Sequence, residues 1–400
     1  MDDVMSLPPP QIKQKTGPGN DAISKRERGE TIKRARFPSV VRLPGPSVAK
    51  ASVNTITKRH EWDNKRKRTE SLQHGAHQSI SLRRRRGGSG PSFPSRPGCD
   101  PPLGLGTWLS DKSKVAHAVS FAVGEAGYDH IDAALIYRNE DQTGKGIADS
   151  GVARKNIWVT SKLWNSDHRA EQAEAAIKKS IADLGVDYLD LYLIHWPVAF
   201  VPGDPNNKLD KKTSIVDTWK TLEGFVKANL TRHIGLSNFA KADVEKILEV
   251  AEIKPFAHEF ETHPYLQQQE FVDWHKEKGI EVIAYSPLAN TNPTYSDHIP
   301  AIYDDSFWKS VAEKKGVSVF QAVLAWGIQR GTSVIPKSTK ESHIVSNRKA
   351  LDIKFSEEEL KEIEKQDKKH RLSNPSKKWG VKLFADLDDP TKPDEKSEEL

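Results

Sequence analysis

Short apolar runs alternate with amphipathic stretches between residues 103 and 347. The clearest run, Leu189–His195, consists largely of leucine, isoleucine and tyrosine, and Pro197 follows it closely. A continuous run of this length is typical of a strand buried on both faces of a parallel sheet. The pattern predicts eight such strands, near Leu103–Thr107, His130–Ala133, Ile157–Lys162, Leu189–His195, His233–Ser237, Phe256–Glu261, Val282–Tyr285 and Ser333–Lys337.

The segments between these runs have the period of amphipathic helices, as where Ala173, Ile177 and Leu184 share one face. Alternating strands and helices predict a parallel sheet, and the span of residues 103–347 matches the roughly 250 residues of a (β/α)8 TIM barrel. The rival is a doubly wound sheet, which needs a G-x-G-x-x-G turn after its first strand. Gly104–Gly106 lacks the third glycine, so the pattern favours the barrel.

The chain divides into three parts by composition. Residues 1–98 are rich in Pro, Ser, Gly, Lys and Arg and lack apolar periodicity, which predicts a disordered basic extension. Residues 99–388 form the predicted barrel domain, closed by a helix over Leu351–Lys369 in which Ser356 and Glu359 make a capping box. Residues 389–400 are charged and contain proline, so we predict a disordered tail.

Charge is concentrated in the extension. Residues 1–100 hold 21 basic and 9 acidic side chains, whereas the rest of the chain is mildly acidic. The runs Lys65–Arg68 and Arg83–Arg86 are compatible with a nuclear-import or nucleic-acid patch, but a solvated tail is favoured because few aromatic residues lie among them. A mis-joined coding segment is a third reading. We therefore expect no nucleic-acid partner.

Cysteine usage and hydropathy bear on location. Cys99 is the single cysteine, which excludes an intrachain disulfide and favours a reducing compartment. No apolar run approaches the roughly 20 residues that span a bilayer, and the first residues lack the basic start and apolar core of a secretory signal. These features predict a cytoplasmic protein without a membrane partner.

Four polar side chains fall at or just after predicted strand ends: Asp132, Tyr137, Lys162 and His195. The carboxyl ends of barrel strands converge on one mouth, where barrel enzymes place their chemistry. Each residue alone has a structural explanation, namely a helix cap, an interface aromatic, a surface lysine and a satisfied core histidine. An acid, a phenol, an amine and an imidazole all at strand ends instead predict an active site, with no metal involved.

Motifs of this chain resemble those of the aldo-keto reductase family, in order and at family spacing, from about Leu103 to Asp388. The resemblance is nearest to fungal aldehyde and polyol reductases, including glycerol dehydrogenase-like members. The motifs are His130–Ala134 with Tyr137–Glu140, Ser161–Asn165, Ile194–Pro197, Gly235–Phe239, Tyr285–Leu288 and Ile335–Ser338.

The resemblance implies hydride transfer between a nicotinamide and a carbonyl carbon, with Tyr137 as proton donor. Unperturbed tyrosine is a poor acid near neutral pH, but an adjacent ammonium stabilises phenolate. Lys162 takes that role, Asp132 holds the lysine, and His195 orients the carbonyl oxygen.

The resemblance also assigns a cofactor site and a substrate pocket. The alternatives are an ordinary surface lysine at Lys337 and core packing for Tyr285 and for each tryptophan. The cofactor positions are Thr107 for the ribose, Ser237 and Asn238 for the carboxamide, Tyr285 for stacking, Ser286 and Leu288 for the pyrophosphate, Lys337 and Ser338 for the 2′-phosphate and Asn347 for adenine. The predicted pocket walls are Trp108, Trp164, Trp196 and Trp379, together with His195.

The chain departs from the family pattern at four places. Glu259 stands where the carboxamide is usually met by glutamine; a carboxylate cannot donate a hydrogen bond, so we predict weaker binding of reduced cofactor than in a Glu259→Gln variant. His343 replaces an arginine near the 2′-phosphate, which leaves NAD use open. Arg138 replaces a glycine after Tyr137, and the prolines of Pro91–Pro102 make the usual floor hairpin improbable.

The sequence thus predicts a monomeric NADP-dependent reductase of aldehyde or sugar-type carbonyls, with NAD as a possible second cofactor. The alternative is a barrel that binds the cofactor but turns over weakly, serving regulation or scaffolding. Which carbonyl is reduced, and in which direction the reaction runs, stay open at this stage.

Overall fold

The computed structural model describes residues 101–292, 294–295, 299–384 and 387. The predicted extension over residues 1–98 and the tail over residues 389–400 lie outside the described residues, as do both basic runs and Cys99. Nearly all of Pro91–Pro102 lies outside them as well. The disorder and the domain boundaries assigned to these parts stay predictions.

Eight parallel strands form one sheet, in which each strand pairs with the next along the chain. They are β1 Leu105–Gly106, β2 His130–Asp132, β3 Trp158–Leu163, β4 Leu189–Ile194, β5 Thr231–Ser237, β6 Ala257–Glu261, β7 Glu281–Tyr285 and β8 Ser333–Val334.

The last strand returns to the first and closes the sheet into a barrel. The Gly104 amide donates to the Val334 carbonyl at 2.9 Å, and the Val334 amide donates to the Pro102 carbonyl at 3.0 Å. One step along, the Gly106 amide donates to the Pro336 carbonyl at 3.2 Å. Because β1 and β8 are only two residues each, these flanking residues complete the seam.

Helices connect the strands and surround the barrel. Among the described residues, no helix combines the length and the apolar character needed to cross a bilayer. The helices are α1 Lys112–Gly124, α2 Glu140–Asp149, α3 Ala170–Leu184, α4 Ile215–Lys227, α5 Lys241–Val250, α6 Gln269–Lys278, α7 Ser306–Lys315, α8 Val319–Gln329, α9 Glu341–Arg348, α10 Glu357–Glu364 and α11 Ser376–Trp379. Short 3-10 turns lie at Leu135–Tyr137, Arg154–Asn156, Asn165–Asp167, Ala289–Thr291 and Lys349–Asp352.

The TIM barrel predicted from the sequence is confirmed. Each of the eight strands overlaps its predicted run, with bounds that extend at most two residues beyond it. The helix predicted over Leu351–Lys369 is wrong in its bounds, since α10 covers only Glu357–Glu364. The Ser356 hydroxyl caps that helix by accepting from the Glu359 amide at 3.3 Å. The capping box that the sequence indicated therefore sets the start of α10, and the residues before Ser356 are not part of the helix.

Two buried layers stabilise the barrel. The larger layer packs the outer faces of the strands against the helices, as where Ile177 of α3 and Trp219 of α4 are fully buried. A smaller cluster lies in the barrel interior and consists of Leu191, Leu193, Ala257, Ile283 and Ile335. Gly235 of β5 faces this interior, where an added Cβ would lie 2.3 Å from the Ala257 carbonyl oxygen. Any larger side chain there would force β5 and β6 apart.

Three rings lie at the amino-terminal side of the barrel, the end that the sequence predicts to lack a hairpin. Trp158 stacks on His233 with ring centroids 5.5 Å apart, and His233 lies 4.1 Å from the Phe256 ring. All three side chains are half-buried. The barrel therefore contributes its own aromatic packing at this end.

Buried histidines form a hydrogen-bonded chain behind β6. The Phe239 amide donates to His258 Nε2 at 3.0 Å, and His258 Nδ1 lies 2.8 Å from His275 Nε2. His275 Nδ1 lies 2.7 Å from the Phe271 carbonyl, to which it must donate. These partners fix one tautomer for each ring and satisfy both rings in the neutral form.

Burial lowers the pKa of His258 well below its ordinary value, and that of His275 to about 4. In the unfolded chain these side chains bind protons below about pH 6.5, whereas the folded protein excludes them until a lower pH. The folded state is therefore favoured above pH 6.5 and loses stability as the pH falls.

We expect the free energy of unfolding, measured by urea denaturation, to decrease between pH 7.5 and pH 5 with a contribution of about 2 kcal/mol from His275. A His275→Gln variant should lose about that much less over the same interval. The control is His117→Gln, whose parent side chain is 69% exposed. Equal pH dependence in the His275 and His117 variants would contradict the expectation.

Candidate active site

Lys162, the penultimate residue of β3, lies in the barrel mouth and is 0% exposed. Its Nζ donates to Asp132 Oδ1 of β2 at 2.6 Å and to the Ala133 carbonyl at 3.1 Å. The same nitrogen lies 3.4 Å from the Tyr137 hydroxyl and 3.4 Å from Glu259 Oε2 of β6. One ammonium therefore joins the end of β2, the turn that follows it and β6, because parallel strands deliver their carboxyl ends to the same rim.

Charge keeps Lys162 protonated. Burial by itself would lower the lysine pKa, but the two acidic side chains beside it, Asp132 first and Glu259 second, outweigh burial and hold the Lys162 pKa above its ordinary value. Burial raises the pKa of both acids, and Lys162 opposes that shift in each. The site thus contains two buried acids and one buried ammonium.

Tyr137 lies at the end of the 3-10 turn Leu135–Tyr137, half-buried, with its hydroxyl directed at the ammonium. Burial raises the pKa of this phenol above its ordinary value, although Lys162 acts to lower it. The sequence prediction that Lys162 lowers the Tyr137 pKa is therefore wrong in its net direction, because burial outweighs the ammonium charge. Arg138, which follows, is exposed and has a left-handed backbone with φ 57°, a conformation in which glycine is usual.

His195 follows β4 directly and packs edge-on against two aromatic rings. Its centroid lies 5.8 Å from that of Tyr137 and 5.2 Å from that of Trp164. Burial, aided by the Lys162 charge, holds the His195 pKa well below its ordinary value, so the ring is neutral. A neutral imidazole beside the phenol can donate one N–H to an oxygen atom in the pocket.

The predicted nicotinamide side of the site forms a separate hydrogen-bonded group. Asn238 donates through Nδ2 to the His195 carbonyl and to Ser237 Oγ, both at 2.9 Å, and accepts from the Tyr285 hydroxyl at 2.7 Å. Ser286 Oγ lies 2.7 Å from the Tyr295 hydroxyl. The half-buried ring of Tyr285, fixed by Asn238, can stack on a flat heterocycle.

The predicted phosphate positions lie just before α9, and the predicted adenine position, Asn347, lies near the end of that helix. Lys337 is exposed, Ser338 is buried, and the helix begins three residues later, at Glu341. Burial and the neighbouring Lys114 charge lower the Lys337 pKa. Two lysines near a helix N-terminus suit a phosphate group, since both carry the charge sign that an anion requires.

The other predicted positions have different surroundings. The Thr107 hydroxyl donates to the Asp132 carbonyl at 2.8 Å, which ties β1 to the residue that holds Lys162. Leu288 packs against the outer hydrophobic layer. On α9, His343 is exposed and Asn347 is buried.

Aromatic side chains form the wall beside His195. Trp379 of α11 makes edge contacts with Trp196 at 5.0 Å, with Phe200 at 5.4 Å and with Trp164 at 6.2 Å between ring centroids. Three of the four tryptophans predicted for the pocket therefore lie together. Trp108 lies apart from them and packs near Tyr295, at 6.4 Å.

Glu261, at the end of β6, is a residue that the sequence argument missed. Its carboxylate accepts from the amides of Leu372 and Ser373, each at 2.8 Å, and from His263 Nε2 at 2.9 Å. Burial alone would raise the Glu261 pKa, but these hydrogen bonds lower it below its ordinary value. The segment leading to Trp379 is thereby anchored to the barrel. Glu261 lies two positions after Glu259, on the same side of its strand, which was the available signal.

The chain is similar to known proteins of one family. A model of the Aldo/keto reductase family matches residues 102–368. An uncharacterized oxidoreductase of Schizosaccharomyces pombe is 47% identical over 272 residues, which cover 66% of this chain and 84% of the relative. Aldo-keto reductase family 1 member A1 of Sus scrofa is 40% identical over 289 residues, covering 69% of this chain and 88% of the relative.

Solved structures show the same likeness. The Bombyx mori aldo-keto reductase in complex with NADP is 34% identical, and the match covers 71% of this chain and 95% of that chain with a TM-score of 0.67. The segment matched by the family model includes every residue that contacts the Lys162 ammonium.

We expect a Glu261→Gln variant to loosen the segment from Leu372 to Phe384, because an amide group lacks the charge and one of the two acceptor oxygens. The loss of a buried charged acceptor costs about 1.5–3 kcal/mol, or roughly tenfold to a hundredfold faster local opening. Amide hydrogen exchange followed by mass spectrometry measures it. The control is Glu281→Gln, at an exposed position of β7. Unchanged exchange in the Glu261 variant would show that the segment is held by other contacts.

Proposed function

Because this chain belongs to the aldo/keto reductase family of oxidoreductases, we propose that it reduces aldehyde or sugar-type carbonyls to alcohols with NADPH. The observation that carries the proposal is the distance of 3.4 Å between the Lys162 ammonium and the Tyr137 hydroxyl, inside a buried cluster. This pair supplies a phenol able to release a proton and a fixed positive charge to stabilise the phenolate that forms.

The cofactor proposal is supported by charge and by one relative. The Bombyx mori structure was solved in complex with NADP. In this chain Lys337, Lys114 and the start of α9 offer positive charge to a phosphate, and Tyr285 offers a flat ring to a nicotinamide. When bound, the reduced cofactor supplies the hydride. The exposed imidazole of His343 is a weaker phosphate partner than arginine, so NADH is a possible second donor.

The chain's own residues account for the proton and for orientation. His195, held neutral, donates an N–H to the carbonyl oxygen and draws it toward Tyr137. As negative charge develops on that oxygen, the Tyr137 hydroxyl transfers its proton to it. Lys162 then stabilises the phenolate, while Asp132 keeps the ammonium in place through the hydrogen bond of 2.6 Å.

The pocket suits an uncharged or weakly polar carbonyl compound. Trp164, Trp196 and Trp379 form an apolar wall beside His195 and exclude water from the reacting carbonyl. These features favour turnover over the alternative, a cofactor-binding regulatory barrel. That alternative would not need a phenol, an ammonium and a neutral imidazole within contact of one another.

Replacing Tyr137 by phenylalanine removes the proton donor and leaves the predicted cofactor residues untouched. We expect turnover to fall by at least 10²-fold, while NADPH binding, followed by quenching of protein fluorescence, changes little. A panel of aldehydes, aldoses, uronates and polyols, read by absorbance of the reduced cofactor, supplies the rates. Tyr303→Phe, at a residue 45% exposed, is the control. Turnover close to that of the parent in the Tyr137 variant would refute the assignment.

Lys337 should decide between the two cofactors. We expect Lys337→Met to lose roughly tenfold or more in kcat/KM with NADPH and to change little with NADH, because one charge-assisted contact to a phosphate is worth about 1.5–3 kcal/mol. Lys349→Met, at the opposite end of α9, is the control. Equal losses with both cofactors would place Lys337 outside the 2′-phosphate site, and a higher kcat/KM with NADH in the parent would overturn the NADP preference.

A further inference from the structure

Glu259 is an ionisable residue in the barrel mouth to which the proposed chemistry gives no role. It is 2% exposed, and its backbone carbonyl accepts from the Asn238 amide at 3.0 Å. Its Oε2 is buried without a hydrogen-bond partner, although Lys162 Nζ lies 3.4 Å away. Asp132 has the shorter contact with that ammonium, at 2.6 Å.

Two buried acids beside one buried ammonium cannot both ionise cheaply. If both were carboxylates, the cluster would carry an uncompensated negative charge away from water, which is strongly unfavourable. Paired carboxyl groups escape this cost by keeping one proton between them. Because Asp132 makes the close ion pair, the retained proton belongs on Glu259. Glu259 is then a hydrogen-bond donor, which removes the reason for the sequence prediction that it binds reduced cofactor more weakly than glutamine would. Burial first, and the Asp132 charge second, raise the Glu259 pKa well above its ordinary range, in agreement with this assignment.

We propose that Glu259 is a proton store for the reduction: it is a neutral carboxylic acid in the resting protein and passes its proton through Lys162 to Tyr137 during turnover. The proposal rests on the proposed function. The route is short, because the one ammonium nitrogen lies 3.4 Å from the Glu259 oxygen and 3.4 Å from the phenol oxygen.

The step balances without a proton from solvent. The carbonyl carbon gains a C–H bond by accepting a hydride, with two electrons, from a reduced nicotinamide, which is oxidised as the C=O π bond breaks. The Tyr137 O–H bond breaks as the alcohol O–H bond forms. Lys162 reprotonates Tyr137, and Glu259 reprotonates Lys162. The carboxylate left on Glu259 then compensates the positive charge of the oxidised nicotinamide ring.

The groups that face Glu259 allow this exchange. Within the described part of the chain, the ionisable groups that interact with it are Asp132 on β2, Tyr137 after β2 and Lys162 on β3; neutral His195 follows β4. The neighbouring strands pair Glu259 with Ser237 on β5 and Ile283 on β7, neither of which titrates. Ionisation of Glu259 therefore depends on the Asp132–Lys162 pair and on the charge of the bound ring.

Infrared difference spectroscopy tests the resting state. We expect the ligand-free protein at pH 7 to show the carbonyl band of a protonated carboxylic acid that shifts on ¹³C-glutamate labelling and disappears in Glu259→Gln. Glu140 is the matched control, because it is also buried and its pKa is raised to about 7. The Glu259 band should survive in Glu140→Gln. If no carboxylic-acid band disappears in Glu259→Gln, the proposal is overturned, whatever the enzyme's activity.

Proton release on ligand binding tests the coupling. We expect NADP⁺ to release about one proton per site near pH 7, measured with an indicator dye in weak buffer, and to remove the Glu259 band. NADPH should release none, and Glu259→Gln should release none with either nucleotide. Binding of NADP⁺, seen by fluorescence quenching, without proton release would overturn the store. If neither nucleotide binds, the proposed function fails and the coupling fails with it, whereas the acid band reports independently on Glu259.

Discussion

A positive charge fully buried in the barrel mouth is the constraint on which the site depends. Lys162 is surrounded by protein, and it stays an ammonium because the Asp132 carboxylate, 2.6 Å away, opposes the effect of burial; Glu259 lies 3.4 Å from the same nitrogen. Each partner comes from a different strand, so the charge can be satisfied only when β2, β3 and β6 are in register around a closed sheet. The requirement for that register links the fold to the chemistry.

Much of this arrangement could be predicted from local pattern. The apolar run over Leu189–His195 predicts a strand buried on both faces, and the rule that strand ends converge predicts that Asp132, Lys162 and His195 lie close together. The same rule added Tyr137, which follows the second strand by five residues, whereas the role of each of the four residues came from the family resemblance.

Other features depend on tertiary contacts that no local pattern encodes. Glu261 reaches amides more than one hundred residues later in the chain, at Leu372 and Ser373, so its role appears only in the folded protein. The direction of the Tyr137 pKa likewise follows from burial, which the sequence argument could not weigh against the lysine. The predicted bounds of α10 are wrong for a simpler reason. The prediction began the helix at Leu351, although the capping residue Ser356 already indicates a start at Glu357.

The seam between β1 and β8 has a mechanical consequence. β1 and β8 are two residues each, whereas β3 and β4 are six residues each. Short strands form few hydrogen bonds, so the barrel is held most weakly where β8 meets β1. Partial opening would therefore start there rather than on the side of β3 and β4. Such an opening would separate Gly106 from Lys337. A nucleotide bound across the contact between β1 and β8 would therefore stabilise the closed barrel.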